Sequence, residues 1–182
     1  MIIEGRVLRL YQSEVTMSVS RGKEFEKNFE NSTKSLISSG ANITIDRLYD
    51  VVGKKTIKQP SDYICYFYPN QIYVECKSTH DDSFSYFTQP QYERLAEKSN
   101  IRGIKAGMLV WFVTNKRVFW VDIDWMTAYY DSRGVKSFTV ARLEQCVKNN
   151  ISGVYEVEQQ TKRINPEMNL KGLYNYIVNS NI

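Results

Sequence analysis

The chain has one histidine, His80, which excludes a metal site built on several imidazoles. Cysteine is nearly as sparse. Cys65, Cys76 and Cys146 are unclustered and each sits in apolar sequence, so they read as small core residues of a reducing compartment, not as a disulfide or zinc framework. No apolar run approaches the roughly 18 residues of a membrane span, and Glu4, Arg6 and Arg9 interrupt the stretch where a signal peptide would carry its apolar core. The expectation is a cytoplasmic protein with no membrane association and no small-molecule cofactor. Linkers, internal repeats and low-complexity tracts are lacking as well.

What is present suffices for one core. With 42% hydrophobic and 13% aromatic residues in 182, a single decorated domain is the default. A net charge of +4 accommodates a polyanionic partner without demanding one.

Between Ser20 and Gly40 the residues Phe25, Phe29, Leu36 and Ile37 recur near helical spacing, with Ser39-Gly40 as a stop. Residues 42–46 suggest a strand, and a basic loop, DVVGKKTIKQPS, follows. Further on, the pattern predicts a helix over 90–98, strands over 108–114 and 118–123, a helix capped by Asp124 through Tyr130, and another from Thr139 through Lys148. The polar tail carries one candidate helix over 170–178. This order is that of an α/β fold with a mixed sheet flanked by helices. The expected division is an N-terminal arm over 1–19, a core over 20–147 and a helical tail over 148–182 packed on it.

The chemistry concentrates in PSDYICYFYPNQIYVECK, residues 60–77. Two β-branched and aromatic runs flank Pro69-Asn70, which predicts an antiparallel hairpin. With Pro69 and Asn70 as its central turn residues, Asp62 falls opposite Lys77 and Ile64 opposite Glu75. Side chains alternate with period two, so Asp62, Glu75 and Lys77 share one face, and Tyr63, Cys65, Phe67, Ile72, Val74 and Cys76 form the core face. Asp62 and Glu75 become diagonal neighbours roughly 7 Å apart at the backbone. On spacing alone the charges read first as a cross-strand ion pair on a solvated face. They also suit magnesium, a hard cation that takes one or two protein carboxylates and completes its shell with water and phosphate oxygens. Lys77 would then orient a water or stabilise charge developing on the phosphate.

The wording PSD, followed after twelve residues by ECK, resembles the signature of the PD-(D/E)XK nucleases. The helix that begins RGKEFEKNF is similar to the amino-terminal helix of Holliday junction resolvases in that superfamily, with Gly22 and Glu26 at the positions of the glycine and the catalytic glutamate. The resemblance narrows to the RecU-type resolvases of Gram-positive bacteria and their phages. It does so through Asp62-Tyr63, Glu75-Cys76-Lys77, Gln91 in the following helix, and RGVKSFTVARLEQ with Gly134, Lys136 and Ser137. It covers about residues 20–145. RecU proteins carry a long insertion, the stalk, between the first strand and the catalytic aspartate, whereas only Arg47 to Ser61 stand here, and the tail after Val147 has no counterpart.

The resemblance implies a restriction-endonuclease-like α/β core and a magnesium centre, with manganese as the alternative ion. It implies catalytic roles for Glu26, Asp62, Glu75, Lys77 and Gln91, with Asp62, Glu75 and Glu26 at the metal. Gln91 reads either as a phosphate contact or as an ordinary first-turn residue. Lys54, Lys55, Lys58, Arg133 and Lys136 are candidates for DNA-phosphate contacts, though such residues also populate solvated loops. Trp111, Trp120 and Trp125 fit the core better than a base-stacking role, and His80 reads as a loop residue. The expected activity is resolution of four-way DNA junctions by paired symmetric nicks from a homodimer. The alternatives are a phage nuclease of the same superfamily acting on another DNA structure, and a non-catalytic DNA-binding modulator of recombination.

Overall fold

The computed structural model of the protein describes residues 3–50, 58–87, 90–160 and 167–179, with side chains from residue 21 on except at 160. A six-stranded mixed sheet forms its centre. Its strands are β1 (Ile43–Arg47), β2 (Tyr63–Phe67), β3 (Asn70–Thr79), β5 (Ile104–Phe112), β6 (Arg117–Asp122) and β8 (Val154–Val157), in the order β1-β2-β3-β5-β6-β8. Only β3 and β5 pair in parallel; every other neighbour in this sheet is antiparallel. Parallel neighbours need a crossover, and it is made by β4 (Ser83–Ser85) and α2 (Pro90–Ser99).

Alternation along the strands feeds two cores. Tyr63, Cys65, Ile72, Val74, Cys76, Leu109 and Trp120 face α1 (Ile3–Ser38) and α5 (Leu170–Asn179), which contribute Phe25, Phe29, Leu173 and Tyr174. Tyr73, Met108, Val110, Phe119 and Val121 face α2, α3 (Ile123–Arg133) and α4 (Val140–Lys148). This is the expected α/β class, a mixed sheet with helices on both sides. Strands covered on both faces are apolar almost throughout, as β5 and β6 are. Complete burial of a residue such as Phe29 or Leu109 stabilises the fold by roughly 1.5–3 kcal/mol.

Several elements differ from expectation. The first helix begins at Ile3, not Ser20. Its expected start rested on the apolar phase that packs on the sheet. No proline stands between Ile3 and Ser20 to stop the helix, and extending one is far easier than nucleating it. The tail supplies a strand as well as a helix. β8 pairs with β6 and buries only Val154 and Val157, too short an apolar pattern to announce itself. Two small sheets, β4 with β7 (Ser137–Thr139) and β9 (Gln159–Gln160) with β10 (Glu167–Met168), complete the structure. Trp120 is fully buried, and Trp111 stacks on Phe25 at 5.6 Å, both in the core as expected.

Helix α3 is capped by Asp122, not Asp124: Asp122 Oδ1 accepts from the Asp124 amide at 3.0 Å. Asp122 is the last residue of β6 and is only 9% exposed, and that burial pushes its pKa to about 6. The unfolded chain releases this proton near pH 4. Ionisation of Asp122 therefore costs stability progressively from about pH 4 to about pH 6, and the full cost persists above. Asparagine keeps the capping oxygen and removes the charge. Asp122→Asn should thus leave urea stability nearly unchanged at about pH 4 and raise it at about pH 8, by at most ~3 kcal/mol at about 1.4 kcal/mol per tenfold. Equal effects at both pH values would contradict a titrating carboxyl in this range.

Candidate active site

The hairpin that carries the signature turns at Tyr68 and Pro69, because Phe67 pairs with Asn70 and not Tyr68 with Gln71. Asn70 is buried and begins β3. The register is shifted by two from the expected one: Ile64 faces Tyr73, and Tyr63 faces Val74. A shift of two returns every side chain to its own face, so the grouping of Asp62, Glu75 and Lys77 survives. The pairing within the group changes. The ladder ends at Tyr63 and Val74; carried one step further, its register would set Asp62 across from Glu75, where the expected register had Lys77. Glu75 lies within reach of the charge of Asp62. The face is also less open than a solvated sheet surface, since Glu75 is 2% exposed.

At this point β2 ends while β3 continues to Thr79. The Cys76 amide donates to Asp62 Oδ2 at 2.8 Å, and the Leu48 amide donates to the Asp62 carbonyl at 2.8 Å. Asp62 is thereby fixed between β1 and β3 as the strands part. Lys77 Nζ lies 2.7 Å from Glu75 Oε1, two residues along the same strand face.

Burial first, then the charge of Asp62, push the pKa of Glu75 to about 7, with Lys77 opposing. Asp62 is itself raised by burial, against the Cys76 hydrogen bond and the charges of Lys77 and Arg47. Glu26 is raised by burial and by Asp62, while Arg47 holds it down. Each acid thus depends on another acid or on a nearby cation.

A cleft of about 310 Å³ opens over this group, lined by Glu26, Lys58, Asp62, Glu75 and Gln91 among others. Five of the sequence candidates therefore meet at one place. Glu26 comes from α1, anchored by Phe25 and Phe29, and Tyr63 Oη donates to its carbonyl at 3.1 Å. Gln91, in the first turn of α2, has a buried Oε1 without a hydrogen-bond partner. Arg133 and Lys136 do not line this cleft; they lie over the rings of Tyr129 and Phe87. Lys54 and Lys55 fall outside the described residues. His80 contacts Arg21.

The cleft also contains residues that sequence reasoning passed over, namely Lys23, Arg47, Asp50, Gln59 and Arg94. Arg47 closes β1, pairs with Tyr63 in the ladder and forms an ion pair with Glu26. Lys23 precedes Glu26 by three positions and Arg94 follows Gln91 by three, so helical spacing was the available signal for both.

Among the described residues no three His, Cys, Asp or Glu side chains are placed to hold a metal ion by themselves. Asp62 and Glu75, which line one open cleft, instead fit a cation that takes two protein carboxylates and keeps the rest of its shell for water and phosphate. The unpartnered Gln91 oxygen is a further polar group available to such a shell. Asp62 and Glu75 can hold a hard divalent ion, Lys77 can place positive charge beside it, and Glu26 can accept a proton or orient a water.

No curated protein matches the chain. Among solved structures it is similar to Hjc of Archaeoglobus fulgidus, a Holliday junction resolvase, at 15% identity and a TM-score of 0.45, over 66% of this chain and 89% of that one. A family model described as Recombination protein U, RecU, matches residues 20–159, which extends past Val147 to include β8. With most of its length inside that match, the chain belongs to the RecU family of Holliday junction resolvases.

Proposed function

We propose that this protein is a magnesium-dependent endonuclease that resolves four-way DNA junctions, acting as a homodimer in the cytoplasm. The observation that carries this reading is the gathering of Glu26, Asp62, Glu75 and Gln91 around one cleft, with Lys77 on Glu75. Membership of the RecU family supports the choice of substrate.

Asp62 and Glu75 would hold the ion, with Glu26 on its open side. Magnesium, when bound, polarises the scissile phosphate and lowers the pKa of a coordinated water. The side chains of this chain do the rest. Lys77 places its ammonium where charge accumulates on the phosphate in the transition state. Gln91 Oε1, an acceptor without a partner, would take a hydrogen bond from a water at the edge of the cleft, while its amide nitrogen would be the group to meet a phosphate oxygen. Glu26, held by Arg47, stands ready to take a proton from the attacking water. Lys58, with Lys54 and Lys55 before it in sequence, and Arg133 and Lys136 would track the phosphates of the arms. Such contacts position the DNA without reading its sequence. Two incisions on opposing strands match a two-fold pair of sites. A non-catalytic modulator is a weaker reading, because carboxylates that repel DNA, with Asp62 and burial raising the pKa of Glu75, serve no purpose in binding alone.

Asp62→Asn and Glu75→Gln should each lower junction cleavage by about 10³-fold or more, since electrostatic stabilisation of several kcal/mol is lost. Junction binding in calcium should be unchanged or tighter, because a charge that repels phosphate has been removed. Near-normal cleavage by either folded variant would sink the metal assignment.

In moderate salt with competitor DNA, a four-way junction should bind more tightly than linear duplex of the same sequence. Magnesium should then yield paired nicks on opposite strands with ligatable products. If linear duplex competes equally, or nicks fall on one strand without symmetry, the target is another DNA structure and only the nuclease reading stands.

A further inference from the structure

The cations in and beside the cleft are not equivalent. Arg47 is neutralised by Glu26 and lies 3.9 Å from Glu30, and Lys77 is neutralised by Glu75. Arg94, on α2, pairs with no carboxylate among the described residues. Its partners are backbone oxygens: Nη1 donates to the Gln59 carbonyl at 2.8 Å and Nε to the Pro90 carbonyl at 3.3 Å. Those two bonds fix the guanidinium plane and leave its charge uncompensated. They also leave most of its five N–H donors unused.

Two surrounding features indicate what the free side of this group would meet. Asp62 and Glu75 line that cleft as the two carboxylates of the proposed metal pair, so an anionic ligand bound there would stand beside a cation. Lys23 and Lys58 are exposed on the rim, again without carboxylate partners among the described residues. A planar, pre-oriented guanidinium is the group best matched to two oxygens of a phosphate.

We propose that Arg94 is a substrate-binding residue that grips a backbone phosphodiester of the cleaved strand next to the scissile phosphate, its fork aimed by the carbonyls of Gln59 and Pro90. This rests on the nuclease reading above and names a DNA contact that the signature does not contain. The hydrogen bond to Gln59 gives the residue a second consequence. Gln59 lies three residues before Asp62, so the same guanidinium ties the segment entering the metal pair to the helix that carries Gln91.

The test must separate phosphate contact from loop support. Binding of wild-type protein in calcium is measured on four-way junctions that each carry one neutral methylphosphonate, scanned across the nick positions and their neighbours. Neutralising the contacted phosphate should weaken wild-type binding about tenfold or more, as expected for a charge-assisted bond. Arg94→Ala should lose a similar factor on unmodified junction, show no further loss at that position, and lower the salt slope by about 0.9. Arg94→Lys, which keeps the charge without the fork, should fall between the two and serves as the readout should the alanine variant fail to fold. If the variants stay as sensitive as wild type at every position, the residue does no more than support the loop, and the proposal is overturned. Unchanged binding and cleavage in the variants overturns it equally. Failure of wild-type protein to cut any DNA with magnesium or manganese would instead remove the nuclease reading, while the scan in calcium would still report on Arg94.

Discussion

The site depends on a single substitution within the hydrogen-bond ladder. Where β2 stops, the Cys76 amide of β3 would be left without a partner, and a buried amide in that state costs about 1–3 kcal/mol. The Asp62 carboxylate takes the place of the missing strand carbonyl at 2.8 Å. A side chain can satisfy β3 while its own backbone turns towards β1, where the Leu48 amide holds it. The strands can therefore part without leaving the ladder unsatisfied, and the cleft forms in the gap. The acid that closes the sheet is the acid whose charge raises the pKa of Glu75.

Holding these groups together is costly in the protein alone. Glu75, Asp62 and Glu26 are all raised by burial, and Asp62 raises both of the others. Two cations, Lys77 and Arg47, oppose the effect without cancelling it. A fold shaped only for stability would place apolar side chains here, as the neighbouring positions of β3 do with Val74 and Cys76. On the proposed function, acids whose charged forms are disfavoured first by burial and then by the charge of Asp62 would prefer an added positive charge. A divalent ion would satisfy that preference by displacing a proton from Glu75, which links its affinity to pH.

The sequence made the grouping of the acids legible but not their pairing. Faces follow from the period-two alternation of β2 and β3, which tolerates a slip of two residues, so Asp62, Glu75 and Lys77 were grouped correctly from the wrong turn. Partners depend on the turn itself, and Pro69-Asn70 and Tyr68-Pro69 are both credible turn centres. Arg47 and Arg94 were hidden for a different reason. Each looks like an ordinary surface cation until the ladder sets Arg47 beside Tyr63 and α2 lays Arg94 against the Gln59 carbonyl. β8 was hidden because two buried valines in a polar tail carry too little pattern to be read as a strand. The second core was missed in part as well. The charged side of the hairpin was read only through Asp62, Glu75 and Lys77, yet α2, α3 and α4 cover the sheet on that side with a core of their own.

The size of the cleft constrains how the proposed enzyme could recognise a branch. A space of about 310 Å³ accommodates a phosphodiester with parts of its flanking sugars, and no duplex. One such site meets the same local backbone in a junction arm as in linear DNA, so by itself it has no means of sensing that four arms converge. Discrimination must come from elements that span a longer distance. Only residues 48–61 separate β1 from Asp62 here, which leaves no room for the long stalk that the family places between them. A second active site held at a fixed distance and angle would, on the proposed function, supply a ruler of that length. On the proposed function, the carboxylate pair sets the chemistry, Arg94 and the rim lysines set the path of one strand, and the separation of two such paths sets the choice of substrate.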